Sequence, residues 1–354
     1  MSKIAIIGFH NLHLMQFLYK YTELLDANDI AYDVIYWDRD IDSSIKVKKF
    51  KGTPVCFRYK MDNYQPKYKK IIGFLKCLLF VKKTIKRNRY DKLIFLTTQT
   101  ALPLYLTTIK YKGKYIFDYR DITFEDIGIC KRLVRKIIDN SVFTAISSRG
   151  FVRVLGDSEK FITAHNCSDL DLLEITNTKK NSNVIRIVFW GMVRQIEFNK
   201  KVCDMFANDD RFEVLFHGEG YYLELQAYCS ARGYHNITFT GRYSVEEIKK
   251  FASNADILMN LYDNDKQQKW AMTVKLYDGI RYQLPMLITK GSYMAEYLEG
   301  YKFAYPIEIG KTNLDDIEFW YRSQFNSDNS FEKIYENIIN DEMIFKKNLI
   351  EFVF

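Results

Sequence analysis

Residues 270–289, WAMTVKLYDGIRYQLPMLIT, decide the fold. They follow an apolar run, DILMNL at 256–261, that reads as a buried strand, and they end in a second one, MLIT at 286–289, behind Pro285. The interval between is short and carries apolar residues at helical spacing, so it predicts a helix opening near Thr273. Strand, polar loop, helix and return strand make an alternating unit, and such units build parallel sheets with the helix N-terminus at the carboxyl edge. Free N–H groups and the helix dipole favour anions there. Lys275 sits at that end and Asp278 one turn later on the same face, a cation suited to phosphate beside a carboxylate suited to hydroxyls.

The same pattern runs outward in both directions. Upstream, residues 185–190 form a strand entering Gly191, with Arg194 and Lys200 beyond. Two cations after a turn that lets backbone come close suit a pyrophosphate, although Lys201 offers the same charge as Lys200. A strand at 212–216 leads into His217-Gly218-Glu219-Gly220, and one at 237–240 leads into Gly241-Arg242-Tyr243-Ser244, where Ser244 and Glu247 have capping-box spacing. The first half opens with a strand at 3–9 and continues with strands at 31–37, 92–97 and 114–119 and apolar runs at 142–148 and 161–166. The strand at 114–119 runs into Arg120, Asp121 and Glu125, charges poorly placed for a core and well placed for a cleft. Between them, 66–89 (PKYKKIIGFLKCLLFVKKTIKRNR) has nine Lys or Arg and no acid. Its stripe Ile71, Leu75, Leu78, Val81 and Ile85 has helical spacing. A polar stretch at 167–183 reads as a linker.

The segment Lys275-Leu-Tyr-Asp278-Gly-(x4)-Leu-Pro285 resembles the donor-site signature of family 4 glycosyltransferases of the GT-B fold, bacterial polysaccharide-biosynthesis type. Asp278 falls on the glutamate that holds the ribose of a sugar nucleotide. Gln283 stands at the family's glycine, and Trp270 at the first glutamate of its E-x7-E pattern. The resemblance implies an α/β chain of two Rossmann-like domains facing across a cleft, with a C-terminal helix crossing back to the first. The boundaries are an acceptor-side domain at 1–167, a linker at 168–184, a nucleotide-sugar domain at 185–330 and the returning helix at 331–354. It also implies a donor site of Gly191, Arg194, Lys200, Gly218, Gly241, Arg242, Tyr243, Thr273, Lys275 and Asp278. Gly8, His10 and Asn11 fall on the acceptor side, and Arg120, Asp121 and Glu125 at the reacting centre. The implied reaction moves a sugar from a nucleotide donor to a saccharide or polyprenyl-diphosphate-linked acceptor with retention of configuration, without cofactor or metal.

Composition sets the bounds of this reading. A chain of 354 residues, 47% hydrophobic, has material for two real cores. No apolar run of about 18 residues is present to span a bilayer, and the segment at 4–9 is too short for a signal peptide. The six cysteines lack metal-site spacing and read as reduced thiols. The five histidines form no H-x-x-x-H set. The two D-x-D triplets, Asp38-Arg39-Asp40 and Asp263-Asn264-Asp265, spell a metal-diphosphate motif of another, one-domain fold. A net charge of +8 points to anionic partners. Nucleic acid is disfavoured, because no RNP, helix-turn-helix or zinc-finger pattern is present. The basic 66–89 helix is expected to meet an anionic membrane surface, placing the protein in the cytoplasm, peripheral at the inner face. A nucleotide-sugar epimerase of the same fold, an inactive carbohydrate-binding relative and a nucleic-acid-binding protein remain open alternatives.

Overall fold

The computed structural model describes residues 2–40, 47–61, 66–167, 183–324 and 330–354. The linker expected at 168–184 lies outside these but for its last two positions. The chain forms two compact units, Met1–Ser168 with Ile338–Phe354, and Asp169–Asn337.

The first unit is built on seven strands: β1 Ile4–Gly8, β2 Tyr32–Asp38, β3 Thr53–Arg58, β4 Lys92–Leu96, β5 Tyr115–Tyr119, β6 Thr144–Ile146 and β7 Phe161–Thr163. They pair in the order β3-β2-β1-β4-β5-β6-β7, every pairing parallel. Every residue of β1 and β5 is buried, as a sheet with both faces covered requires, which is why these strands read as continuous apolar runs. The second unit has six: β8 Ile185–Trp190, β9 Phe212–His217, β10 Ile237–Gly241, β11 Ile257–Asn260, β12 Met286–Thr289 and β13 Ala304–Ile307. Their order is β10-β9-β8-β11-β12-β13, again all parallel. Each sheet reverses direction once, between β1 and β4 and between β8 and β11. The loops leaving those strands at their carboxyl ends border the crevice where open α/β sheets take ligands.

Strands β3 and β13 escape the sequence pattern for one reason. Both are edge strands carrying a proline, Pro54 and Pro306, and β3 is largely exposed. An edge strand needs neither a continuous apolar run nor every N–H.

The C-terminal helix, Ser330–Val353, belongs to both units. Its start packs Phe331 on Phe303, ring centroids 4.3 Å apart. Further on, Phe345, Leu349, Phe352 and Val353 join the core of the first unit, with Phe345 edge-on to Tyr21 at 5.4 Å. Glu342 anchors it there, pairing with Lys20 Nζ at 2.6 Å and accepting from His165 N at 2.8 Å.

Helix Lys67–Asn88 divides its apolar residues otherwise than a single stripe implies. Val81 and Ile85 are buried, as is Cys77, and Phe74 packs edge-on to Trp37 at 5.2 Å. Ile71 and Leu75 point away from this core. With Tyr68, Ile72 and Leu79 they are 43–67% exposed. Spacings of three and four residues put these five on one face, the reverse of a solvated crossover helix.

Candidate functional site

At the carboxyl edge of the second sheet, the loops after β8 and β9 are stitched together. Gly191 N donates to His217 O at 2.9 Å and Val193 N to Glu219 O at 2.7 Å. Gly218 lies at φ +150°, and a Cβ there would overlap the Gly191 carbonyl oxygen, so the turn admits only glycine. Gly191, at φ +125°, has Lys275 Nζ 3.2 Å from where its own Cβ would stand.

Lys275 reaches this turn from helix Val274–Arg281, whose N-cap is Thr273. The Thr273 hydroxyl donates to Asn260 Oδ1 at 2.8 Å, tying the helix start to the end of β11. Lys275 is 7% exposed. Its ammonium donates to the Tyr262 hydroxyl at 2.6 Å and lies 4.1 Å from the Phe189 ring centroid. Among the described residues no carboxylate pairs with it. Asp278 lies one turn on, where it feels the Lys275 charge and accepts from Trp190 Nε1 at 2.8 Å. Burial pushes its carboxyl above the usual range, while Trp190, Lys275 and Arg281 pull it back. Tyr243, from the loop after β10, packs edge-on to Phe251 at 5.4 Å. Its phenol is pushed up to about 12 by burial and by the charge of Asp278.

The other expected donor residues divide. Arg194 is exposed and its backbone carbonyl accepts from Asn199 Nδ2. Lys200 is engaged elsewhere: its ammonium donates to Glu197 at 2.7 Å and Glu224 at 3.3 Å. Lys200 is therefore neutralised by its own helix and the next one, whereas Lys275 forms no such ion pair among the described residues and feels only the charge of Asp278 one turn on. Arg242 pairs with Glu219 at 3.3 Å on the surface, and Gly241, at φ +73°, lies against the Tyr222 ring. Asp265 of the second D-x-D is likewise occupied, accepting from Gln267 N, Gln268 N and Gln195 Nε2 at 2.8–2.9 Å.

In the first unit the loops after β1, β4 and β5 share an edge. Gly8 ends β1 against Met15. Asn11 is buried and spans the neighbouring loop, accepting from Arg39 N at 2.7 Å and donating to Asp40 Oδ2 at 2.5 Å. It is thereby a tie for the Asp38-Arg39-Asp40 turn, with its side-chain amide engaged at both ends. His10 is pushed down to about 4 by burial and by the Arg39 charge, against a hydrogen bond to Gln99 that favours the charged ring, so its ring is neutral near pH 7.

The side chains of Arg120, Asp121 and Glu125 are held in three different ways. Arg120 is 5% exposed and holds Asp118 with Nε at 2.5 Å and Nη2 at 2.8 Å, while Nη1 donates to Ala164 O at 2.7 Å. Tyr21 donates to the same carboxylate at 2.5 Å. All three guanidinium nitrogens are thus bound inside the unit, where the resemblance had Arg120 at the reacting centre. Glu125 is buried and accepts from Thr123 N at 2.5 Å and Phe124 N at 2.9 Å, closing its own loop as an acceptor of backbone N–H groups. Asp121 alone of the three is exposed. Sequence reading passed over Asp118, Trp190 and Tyr262. Asp118 had a signal, an acid inside an apolar strand, which demands a partner. Trp190 and Tyr262 each close or follow a strand at the sheet's carboxyl edge, a weaker signal visible only once the strand ends are known.

No family model matches the chain, and no characterised protein matches it by sequence. Solved structures do match by shape. Anabaena HepE, in complex with UDP and glucose, superposes with a TM-score of 0.70 at 12% identity, covering 99% of both chains. The lipopolysaccharide outer core galactosyltransferase WaaB in its apo form gives 0.69 at 12% identity, with the same coverage. Sucrose-phosphate synthase from Thermosynechococcus elongatus gives 0.67 at 10% identity, covering 100% of this chain and 94% of that one. The likeness is one of fold, the GT-B fold of glycosyltransferases.

Proposed function

We propose that this protein is a glycosyltransferase of the family 4 type. It takes a sugar from a nucleotide-sugar donor to a saccharide or lipid-linked saccharide in surface polysaccharide synthesis, with retention of configuration. The observation that carries this reading is Lys275, a buried ammonium with a phenol and an aromatic face for company, Asp278 one turn away, and no carboxylate in an ion pair with it among the described residues. Burying a cation so is unfavourable until an anion joins it. It faces the Gly191 turn at the reversal point of the sheet, and on this reading the diphosphate binds there. In the reaction the bond from the sugar's anomeric carbon to the diphosphate oxygen breaks and one to the acceptor hydroxyl forms, the hydroxyl losing its proton. Lys275 and the exposed Arg194 offset the charge gathering on the leaving diphosphate. Asp278 holds the ribose, and Asp121 orients the acceptor hydroxyl or takes its proton.

The test is incubation with mixed sugar nucleotides and mass spectrometry of the products. A transferase releases free nucleoside diphosphate, and turnover should survive a chelator, because protein cations serve the leaving group. A new sugar nucleotide without release would make the protein an epimerase. Activity lost to chelation and restored by manganese would revive the D-x-D readings.

The exposed face of helix Lys67–Asn88 supports the second part of the reading, attachment to an anionic membrane. Among the described residues no helix is long and apolar enough to cross a bilayer. Tyr68, Ile71, Ile72, Leu75 and Leu79 form an uncovered apolar face on a helix that has lysines along its length and no acid. That pairing suits a helix lying in the headgroup layer, apolar face down. Each Lys or Arg near such a leaflet contributes about 1 kcal/mol. The wild type should co-sediment with anionic but not neutral liposomes at low salt. Changing Lys69, Lys70, Lys82, Lys83, Lys86 and Arg87 to Gln, or Ile71, Leu75 and Leu79 to Ser, should release it. Undiminished binding by both variants would show that the helix is no anchor.

A further inference from the structure

Trp190, the last residue of β8, is 2% exposed, and its indole N–H donates to Asp278 Oδ2 at 2.8 Å. Its ring stands edge-on to Tyr282, centroids 6.5 Å apart and planes at 88°, and its backbone is in register with His217 of β9. The donor is therefore held by the sheet and the acceptor by the helix that carries Lys275. An aspartate on a helix has few rotamers that keep a carboxylate oxygen directed at a given point, and the indole N–H selects one of them. It also engages one oxygen and leaves the other, Oδ1, to accept from a ligand.

From this geometry we propose that Trp190 is a positioning residue for donor recognition: by holding Oδ2 it presents Asp278 Oδ1 to the ribose hydroxyls and makes binding depend on the 2′-hydroxyl. This rests on the donor-site reading above. The charged and titratable groups around Asp278 are Lys275 and Arg281 of its own helix, Tyr282 just beyond it, and Tyr243 from the loop after β10. Burial raises the carboxyl, and the Trp190 N–H is the first of the groups that oppose the rise. Removing that N–H lets the carboxyl rise further. The ionised form, present only above that value, then disappears at a higher pH as acid is added.

Calorimetric titration of the full chain and of Trp190→Phe with UDP, ADP and GDP and with their 2′-deoxy counterparts tests this, from about pH 5 to about pH 8. The wild type should prefer the ribonucleotide by about ten- to a hundred-fold, the worth of one hydrogen bond to a charged group. Trp190→Phe should lose that preference, bind the 2′-deoxy form as the wild type does, and show its acid fall-off at higher pH. Equal weakening toward both forms, or an unchanged preference and pH profile, would overturn the inference and leave the donor site standing. A wild type that binds none of the nucleotides removes the donor site and this inference with it. The wild-type indole Nε1 proton gives a readout that needs no variant of Trp190. Its resonance should move as Asp278 titrates and move again in Asp278→Asn, and indifference to both would overturn the assignment.

Discussion

Lys275→Met is expected to weaken nucleoside diphosphate binding by about ten- to a hundred-fold while leaving the second unit folded. The estimate takes a charge-assisted hydrogen bond at about 1.5–3 kcal/mol and converts it at about 1.4 kcal/mol per decade. Methionine keeps the straight stem that packs against Phe189 and Tyr262 and removes only the ammonium. Because that ammonium is buried and forms no ion pair with a carboxylate among the described residues, the change removes one hydrogen bond, to the Tyr262 hydroxyl, and the attraction to Asp278. Arg194→Ala should weaken binding less, since Arg194 is exposed and water and salt screen it. Lys200→Ala should weaken it least, because Lys200 already has two carboxylates. Calorimetry on the three variants gives the ranking. Unchanged affinity in Lys275→Met would remove the lysine, and the reading built on it, from the donor site.

Arg120→Met is expected to destabilise the first unit by about 3–5 kcal/mol, the usual consequence of leaving one member of a buried pair uncompensated. Asp118 is fully buried, and without Arg120 its charge would face only the Tyr21 hydroxyl. Burial works against the charge on Arg120, yet Asp118 holds the guanidinium above its ordinary range. For a unit of this size the melting temperature should fall on the order of 10 °C. A catalytic Arg120 would show the opposite pattern, wild-type melting with lost turnover. Asp121→Asn supplies the contrast: the exposed carboxylate should leave melting unchanged and lower kcat by about a hundred-fold or more, the range of general acid-base assistance. Wild-type turnover in that variant would exclude Asp121.

Much of this was legible in the chain. Buried parallel strands must be apolar from end to end, and their helices must alternate with them, so eleven of the thirteen strands among the described residues stand out as apolar runs closing on glycine, charge or polar loop. The two that do not are the proline-bearing edge strands. The placement of Lys275 and Asp278 one turn apart follows from helical geometry alone, and so does the nearness of a cation and a carboxylate.

What periodicity cannot carry is the choice among partners. The Arg120, Asp121 and Glu125 loop has the same spelling whether its arginine looks outward or turns back onto Asp118, two residues earlier. Only the packed unit, with Ala164 O and Tyr21 converging on that spot from distant parts of the chain, decides that it turns back. The same holds for Lys200 against Lys275. Both are lysines near a helix start, but Glu224 comes from the following helix to meet one, while the other enters a pocket of Phe189 and Tyr262. The helix at 66–89 shows its apolar content at once, yet which residues the sheet covers depends on the angle at which Trp37 and its neighbours receive it. Sequence by itself determined the layers and the two sheets, because burial of both sheet faces dictates composition locally. The pairing of charges was decided by tertiary structure alone, because electrostatic partners are chosen through space and not along the chain.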